Sequence, residues 1–214
     1  MNLRELNLKL TKQTLKEETS RDVLIIQTIH TVDELIKIIN KLVANLKERY
    51  GYYAPRASRE DNQEKFLELV DKKIKEETGI NFNNEDLDSV TELTNTIRSL
   101  NKLLDSQEKY LGRLTNEMCP LLSEAATPTI AARLIDRAGS LKHLAELPSS
   151  TIQVLGAEKA LFRHIKTGSK APKFGIIFTH PNITKANSED RGKVARRLAS
   201  ELSKKAKIDF FRVK

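Results

Sequence analysis

Two long apolar series with heptad spacing constrain the fold of this chain more than any other feature. The first series alternates steps of four and three residues and consists of Ile25, Ile29, Val32, Ile36, Ile39, Val43, Leu46 and Tyr50. The second alternates in the same way, with Gln107 as its one polar member, and consists of Val90, Leu93, Ile97, Leu100, Leu104, Gln107, Leu111, Leu114 and Met118. Because this spacing puts each series on one helix face, it predicts two long amphipathic helices with packing partners. We expect an antiparallel coiled coil over residues 21–118, although spacing alone leaves open whether the partner helix is in the same chain.

The connection between the two series predicts a turn followed by a shorter helix. Gly51 and Pro55 end the first long helix, and the segment GYYAPRASRED carries two tyrosines and two arginines. These tyrosines either pack a hinge or stack on an unpaired base. A helix is expected over residues 62–78, and Asn83 or Asn84 is positioned to cap the second long helix.

Residues that interrupt helices become frequent after residue 118. Cys119, Pro120 and Pro128 interrupt the helical pattern, and Gly139 ends the run TIAARLIDRA. Hydroxyl side chains at 149–151 predict a new helix that starts near Ser149 or Ser150. Farther on, Gly156 and Ala157 either allow another backbone or a phosphate to approach closely, or simply lie within a continuing helix.

Two late segments are rich in β-branched or aromatic residues. FGIIF at 174–178 and IDFFRV at 208–213 are therefore expected to form two short paired strands. Between them, residues 189–206 predict a strongly basic helix. The amino-terminal residues 1–20 are polar and rich in lysine, with a weak helical signal. The expected fold class is mainly α, with a minor short β element.

Positive charge is concentrated at the carboxy-terminal end. The formal net charge is +8, but residues 156–214 hold 15 Lys and Arg against 5 acids, so the rest of the chain is slightly acidic. A concentrated cationic region is typical of nucleic-acid binding, because neutralised phosphates release counterions. A solubilising lysine surface is the alternative, but it does not explain such segregation.

The sequence carries no pattern typical of an enzyme, a metalloprotein or a membrane protein. We find no Ser-His-Asp or Cys-His grouping, no HExxH and no phosphate-binding GxxxxGKS loop, and KTGSKAPK is too short for one. The single cysteine, Cys119, excludes an internal disulfide, and the histidines are scattered. No metal or cofactor is expected. Apolar runs such as VLIIQTI are too short to cross a bilayer, and no signal sequence opens the chain, so we expect a cytosolic protein.

Several consecutive motifs resemble one known family. GAEKALFRHIKTGSKAPKFGIIFTHP, preceded by AGSLKHLAELPSSTIQVL and followed later by RGKVARRLASELSKKAKIDFF, resembles the Nop domain of box C/D ribonucleoprotein core proteins, in both their archaeal and eukaryotic nucleolar forms. A spliceosomal splicing factor carries a related domain. The resemblance is strong from about Glu117 onward and looser back to about Arg21.

This resemblance implies a scaffold that binds RNA and protein together in a guide particle for RNA 2′-O-methylation. It implies docking on a kink-turn RNA that already carries its ribosomal-protein-like partner, self-association through the coiled coil, and three divisions at residues 1–20, 21–118 and 119–214. The family also carries an amino-terminal domain that recruits the fibrillarin methyltransferase, and we expect this sequence to begin downstream of it. The implied location is the archaeal cytosol, or the nucleus or nucleolus in a eukaryote.

Candidate site residues follow from the motifs and the charge pattern. Lys159, Arg163 and Lys166 share a helix face through steps of four and three. The residues expected to contact RNA are Lys159, Arg163, Lys166, Lys170, Lys173, His180, Arg191, Lys193, Arg196 and Arg197. Those expected to contact the protein partner are Gln153, Gly156, Ala157 and Glu158. For His180 the alternative is a neutral imidazole bonded to a backbone carbonyl.

Two alternative functions remain open at this stage. One is a Nop-type assembly factor that acts in a particle without the methyltransferase. The other is a purely structural coiled-coil assembly protein whose basic end only maintains solubility. None of the three interpretations makes the chain an enzyme.

Overall fold

The fold is mainly α-helical, as predicted. The computed structural model describes residues 2–18 and 21–212, and no strand occurs in these ranges. Their α-helices are α1 (Leu3–Glu18), α2 (Asp22–Gly51), α3 (Gln63–Asp71), α4 (Asn84–Met118), α5 (Pro120–Ala126), α6 (Pro128–Ala138), α7 (Leu141–Glu146), α8 (Ser149–Val154), α9 (Glu158–Thr167), α10 (Pro181–Thr184) and α11 (Arg191–Arg212). Two 3-10 turns lie at Ala57–Arg59 and Ile176–Thr179.

The chain forms two compact units. The first, which we call the helical head, contains the described residues up to His30 and from Glu108 onward. The second, which we call the coiled-coil unit, is Thr31–Gln107. The predicted functional boundaries near residues 20 and 118 stay a prediction.

In the coiled-coil unit, the end of α2 packs against the start of α4 as the heptad spacing predicts. One apolar core contains Ile39, Val43 and Leu46 of α2 together with Val90 and Ile97 of α4. The Arg49 guanidinium donates a hydrogen bond to Ser89 Oγ at 2.9 Å, so the two helices run antiparallel. Only one member of the first series departs from the pattern: Ile36 is half-buried, while its neighbour Leu35 is buried.

The two adjacent tyrosines of the turn have different surroundings. Tyr53 is buried, with its ring centroid 5.6 Å from that of Tyr50 and 5.1 Å from that of Phe82. Tyr52 is 62% exposed. The alternative in which tyrosines pack the hinge therefore describes Tyr53, whereas Tyr52 faces solvent.

Helix α3 is shorter than predicted, because it ends at Asp71 rather than near residue 78. Lys73 has a positive φ of 50°, which turns the chain out of the helix. The chain after α3 then packs against the turn that follows α2. There the Glu76 carboxylate accepts hydrogen bonds from the backbone N–H groups of Arg56 and Ala57 at 2.9–3.0 Å. Asn62 caps the start of α3, and Asn83 caps α4 as predicted by accepting from the Asp86 N–H at 2.7 Å.

In the helical head, α11 is the central element and packs against α5, α7 and α8. Its inner face is buried and lined by Ala195, Leu198, Ala199, Leu202 and Ala206. Prolines begin both α5 and α6, and Gly139 ends α6, as the breaks in the sequence predict. The small residues on this face let α11 lie close to three short helices.

Two distant carboxylates satisfy the amino-terminal N–H groups of short helices in the head. Asp209 is 1% exposed and accepts hydrogen bonds from the N–H groups of Leu121 and Leu122 at 3.3 and 2.8 Å. Similarly, Asp22 accepts from the Leu141 N–H at 3.1 Å. A carboxylate at a helix amino terminus is favoured by the unpaired donors and by the helix dipole. These contacts tie chain segments that are far apart in sequence.

The lone cysteine is a packing residue beside this cap. Cys119 is fully buried at the junction of α4 and α5. Burial, together with the nearby Asp209 carboxylate, raises the pKa of the Cys119 thiol to about 12. The thiol is therefore protonated at neutral pH.

Replacing Asp209 with alanine is expected to destabilise the head by about 2 kcal/mol, because two buried helix donors lose a charged acceptor. Urea unfolding followed by circular dichroism measures this difference. Asp105→Ala is the matched control, since Asp105 is an exposed carboxylate on α4. Equal midpoints for the two variants would show that the cap adds nothing.

The prediction of two short strands is wrong. Residues 176–179 form a 3-10 turn, and residues 208–212 belong to α11. The Gly175 N–H donates to Gln153 O at 2.9 Å and the Ile176 N–H to Leu155 O at 2.8 Å, so this segment pairs with the end of α8. The amide groups that would form a strand ladder instead satisfy the last carbonyls of a helix.

Candidate RNA and protein interface

A sharp turn between α8 and α9 begins the candidate site. Helix α8 starts at Ser149 as predicted, although no serine side chain caps it. Gly156 then has a φ of +87°, and a Cβ there would lie 2.6 Å from Ile176 Cγ1. Glycine is therefore required for both its backbone conformation and its lack of a side chain. The Gly156 N–H donates to Glu158 Oε1 at 2.6 Å, which orients the first turn of α9.

Helix α9 lies on the surface of the head and contains no buried residue. Its partly covered side carries Ala160 and His164, whose Nδ1 contacts the Ser169 carbonyl oxygen. Most of the circumference of this ten-residue helix therefore faces solvent. The exposed part of α9 is therefore an open surface of the head.

Two stripes of opposite character run side by side on the exposed part of α9. The apolar stripe consists of Leu161, Phe162 and Ile165, and the last two are each 71% exposed. The cationic stripe consists of Lys159, Arg163 and Lys166, which are exposed and form no ion pair with any described residue. At 100° per residue the two stripes are adjacent on the helix. One surface therefore offers both apolar area and phosphate-binding charge.

The loop after α9 is held against α8 by a hydrogen bond from a side chain to the backbone. Gln153 Nε2 donates to the Lys173 carbonyl oxygen at 2.7 Å, and Phe174 stacks on Phe178 with ring centroids 4.7 Å apart. Gln153 thus positions the loop through its side chain. Lys170 and Lys173 are exposed on this loop.

His180 does not provide an exposed RNA contact, contrary to prediction. It is 6% exposed, and its ring nitrogens lie 3.0 Å from the Ala125 carbonyl oxygen and 3.2 Å from the Asn182 N–H nitrogen. The imidazole therefore caps α10 through Nδ1 and donates to a carbonyl through Nε2. This is the alternative described above, in which the ring is neutral.

The predicted cations at the start of α11 divide into two groups. Arg191 is used by the fold, because its Nε donates to Ala186 O at 3.1 Å and its guanidinium lies 5.9 Å from the centroid of the Phe178 ring. Lys193 pairs with Asp190 at 3.2 Å on the surface. By contrast, Arg196 and Arg197 are exposed without an ion pair in the described ranges. Most, but not all, of the predicted cations are therefore exposed to solvent.

Sequence analysis missed the apolar stripe of α9. Apolar residues such as Leu161, Phe162 and Ile165 in an amphipathic helix are ordinarily expected to face the core of the protein. The available signal was that apolar and cationic residues together occupy seven of the ten positions of α9. A ten-residue helix of this kind is typical of a docking surface.

Residues 2–18 and 21–212 contain neither a cluster of metal-ligand side chains nor a helix suited to span a membrane. No group of three or more His, Cys, Asp or Glu side chains in these ranges is arranged to hold a metal ion. None of the helices there combines the length and apolar character that a membrane span requires.

Comparison with known proteins identifies relatives of the whole helical arrangement. Residues 23–214 match the Nop family, described as "snoRNA binding domain, fibrillarin". A NOP5 family protein of Methanocaldococcus jannaschii is 35% identical, covering 94% of this chain and 56% of that protein. Human nucleolar protein 56 is 34% identical over 89% of this chain and 37% of that protein. The chain thus spans between about a third and just over half of these relatives.

The solved structures include a relative of the same fold. A chain in the crystal structure of a fibrillarin/Nop5p complex superposes with a TM-score of 0.59 at 28% identity, covering 99% of this chain and 70% of that one. The family match covers both heptad series and the entire candidate site. The chain belongs to the Nop family.

Proposed function

We propose that this chain is an RNA- and protein-binding scaffold of a box C/D guide ribonucleoprotein, the class of particle that directs RNA 2′-O-methylation. It docks on a kink-turn RNA that already carries its ribosomal-protein-like partner. Its role is binding and assembly rather than catalysis. Family membership supports the RNA-binding part of this proposal, since the family description names a snoRNA binding domain.

The adjacent apolar and cationic stripes of α9 carry the proposal. A helix that bound only RNA would not need Phe162 and Ile165 exposed to water, and a helix that bound only an apolar protein surface would not need three unpaired cations. Interface cores favour aromatic and aliphatic anchors, whereas phosphate contacts require Lys and Arg. A composite surface of protein and RNA fits both stripes at once.

The arrangement produces cooperative binding through a simple mechanism. Naked RNA engages only the exposed cations, which supply affinity but little specificity. Once the partner is seated on the bent RNA, its surface covers the apolar stripe and the two contributions add. The scaffold therefore recognises the shape of an assembled particle, in keeping with recognition of structured RNA by its shape and backbone.

We propose a separate set of residues for each kind of contact, chosen by their exposure. The proposed phosphate contacts are Lys159, Arg163, Lys166, Lys170, Lys173, Lys193, Arg196 and Arg197. Gly156, Ala157 and Glu158 form the adjacent end of the partner surface, and Gln153 positions the loop beside it. Arg191 and His180 instead hydrogen-bond to the backbone carbonyl groups of Ala186 and Ala125.

Two further partners belong to the same proposal. Nop5p was solved in complex with fibrillarin, and we propose that fibrillarin is recruited only where a gene product carries the family's amino-terminal domain in addition to this chain. We also propose self-association through the coiled-coil unit. Ile38 of α2 and Leu103 of α4 support it, because both are exposed apolar residues on long helices of that unit.

The test is a comparison of affinities for naked kink-turn RNA, for the kink-turn protein alone and for the loaded RNA. We expect the loaded RNA to bind at least about 100-fold more tightly than naked RNA, which corresponds to about 3 kcal/mol. The affinity should also fall by orders of magnitude between about 50 and 200 mM salt if six or more phosphates are contacted. Equal affinity for naked and loaded RNA would refute the proposal.

A further inference from the structure

The exposed face of α11 carries cations along most of its length. Opposite the buried alanines and leucines of this helix, one exposed face presents Lys193, Arg196, Arg197, Lys204 and Lys207. Sequence analysis included only the first three in the site. Lys204 and Lys207 continue the same face by two to three helical turns.

Acidic residues do not neutralise the far end of this face. Glu201 lies beside it and pairs with Lys205 at 3.2 Å, and Lys205 also lies 4.0 Å from Glu124. Lys204 and Lys207 form no ion pair with any residue that the structure describes. Their charge is therefore available to a ligand.

The length of the face suits an extended polyanion. Lys193 and Lys207 are fourteen residues apart, which in an α-helix corresponds to about 21 Å. Phosphates of one nucleic-acid strand advance by about 3.4 Å each along a duplex axis, so the face spans about six of them. An isolated phosphate or a short acidic peptide would use only part of it.

The loop after α9 connects this face to the candidate site. The Lys173 side chain passes Gly192 near the start of α11, where a Cβ on Gly192 would lie 3.9 Å from Lys173 Cδ. Lys173 is itself held by the hydrogen bond from Gln153 to its carbonyl oxygen. The cationic residues thus continue from the loop after α9 onto α11.

We propose that the exposed face of α11 is a phosphate-binding track for an RNA strand, and that Lys204 and Lys207 extend RNA contact beyond Arg196 and Arg197. The inference rests on the proposed function for the identity of the RNA. It adds a binding region whose contribution does not depend on the protein partner, because phosphate contacts require only the RNA backbone.

The test uses the double variant K204Q/K207Q and the control K37Q/K41Q, which removes two exposed lysines from α2. Binding to naked and to partner-loaded kink-turn RNA is measured between about 50 and 200 mM salt. We expect K204Q/K207Q to weaken both complexes by the same factor. The slope of log affinity against log salt should become shallower by about 1.4 to 1.8, so its affinity ratio to wild type changes about tenfold over this range.

Three results would overturn the inference. If K204Q/K207Q matches K37Q/K41Q in affinity and slope, the two lysines are only solvated. If it weakens the loaded complex alone, the face contacts the protein partner instead of RNA. If the wild-type chain binds neither naked nor partner-loaded RNA, both the phosphate-binding track and the proposed function are refuted. Equal wild-type affinity for naked and partner-loaded RNA refutes only the proposed function. Unchanged thermal unfolding of the variant confirms that the fold is intact.

Discussion

The double variant F162S/I165S is expected to bind partner-loaded kink-turn RNA about 100-fold more weakly than the wild-type chain, with little change in its affinity for naked RNA. Both side chains are 71% exposed, so truncation removes apolar contact area without opening a cavity in the fold. Apolar anchors at interfaces commonly contribute more than about 1 kcal/mol each, and two contributions of about 1.4 kcal/mol, each a factor of ten in affinity, give about 100-fold. Fluorescence anisotropy with labelled RNA measures both constants.

The matched control for this experiment is I74S/I80S. It removes two apolar side chains, 63% and 57% exposed, from the coiled-coil unit, away from both proposed binding surfaces. We expect the control to bind loaded RNA as the wild type does. A similar loss in both variants would indicate a general effect of surface apolar area and would contradict a specific role for α9.

A second large effect is expected from Gly175→Ala, which should destabilise the head by about 3 kcal/mol. A Cβ at this position would lie 2.0 Å from the Leu155 carbonyl oxygen and 2.7 Å from its carbonyl carbon. Both are backbone atoms at the end of α8, so they cannot rotate away. The segment must separate from α8, which breaks the hydrogen bonds from the Gly175 and Ile176 N–H groups. Urea unfolding and the amide hydrogen exchange of these two residues report the change.

Gly112→Ala is the control for this substitution, and its expected effect has the opposite sign. Gly112 lies within α4, and an added Cβ there meets no atom within 4 Å. Because alanine favours a helix interior over glycine, this variant should be more stable by about 0.5–1 kcal/mol. Unchanged hydrogen exchange at Ile176 in Gly175→Ala would show that the segment tolerates the added carbon, which contradicts the close approach.

Long-range periodicity made the helical framework predictable. Heptad series of eight and nine residues carry far more information than any single residue, and nearly every member of the first series is buried as expected. Proline and glycine breaks were equally informative, since Pro120, Pro128 and Gly139 act through local backbone geometry. These features do not depend on which distant segments pack together.

Short segments were less predictable because tertiary contacts decide them. Composition favoured a strand at 174–178, but the end of α8 supplied acceptors for Gly175 and Ile176, and a 3-10 turn formed. Similarly, Ile208 and Phe210 continue α11 because Asp209 between them caps α5. Local β-propensity is a weak preference, and packing overrides it.

Exposure was the hardest property of the site to predict. Phe162 taken alone fits a buried or an exposed position, and only the combination of apolar and cationic residues along α9 indicates that it is exposed. Nothing in the sequence marks His180 as a helix cap. The charge pattern nevertheless located the exposed cations of α9 and the start of α11. Clustered charge must face solvent or a ligand, whereas a single histidine or an apolar pair fits either environment.

Site-specific photocrosslinking tests most directly the claim that one helix contacts RNA and protein together. A benzoylphenylalanine is placed at position 162 or 163 of α9, or at position 41 of α2 as a control, and each protein is irradiated with partner-loaded kink-turn RNA. We predict that position 162 crosslinks to the partner protein, that position 163 crosslinks to the RNA, and that position 41 crosslinks to neither. Crosslinks from both α9 positions to the RNA alone, or yields no higher than at position 41, would contradict this account.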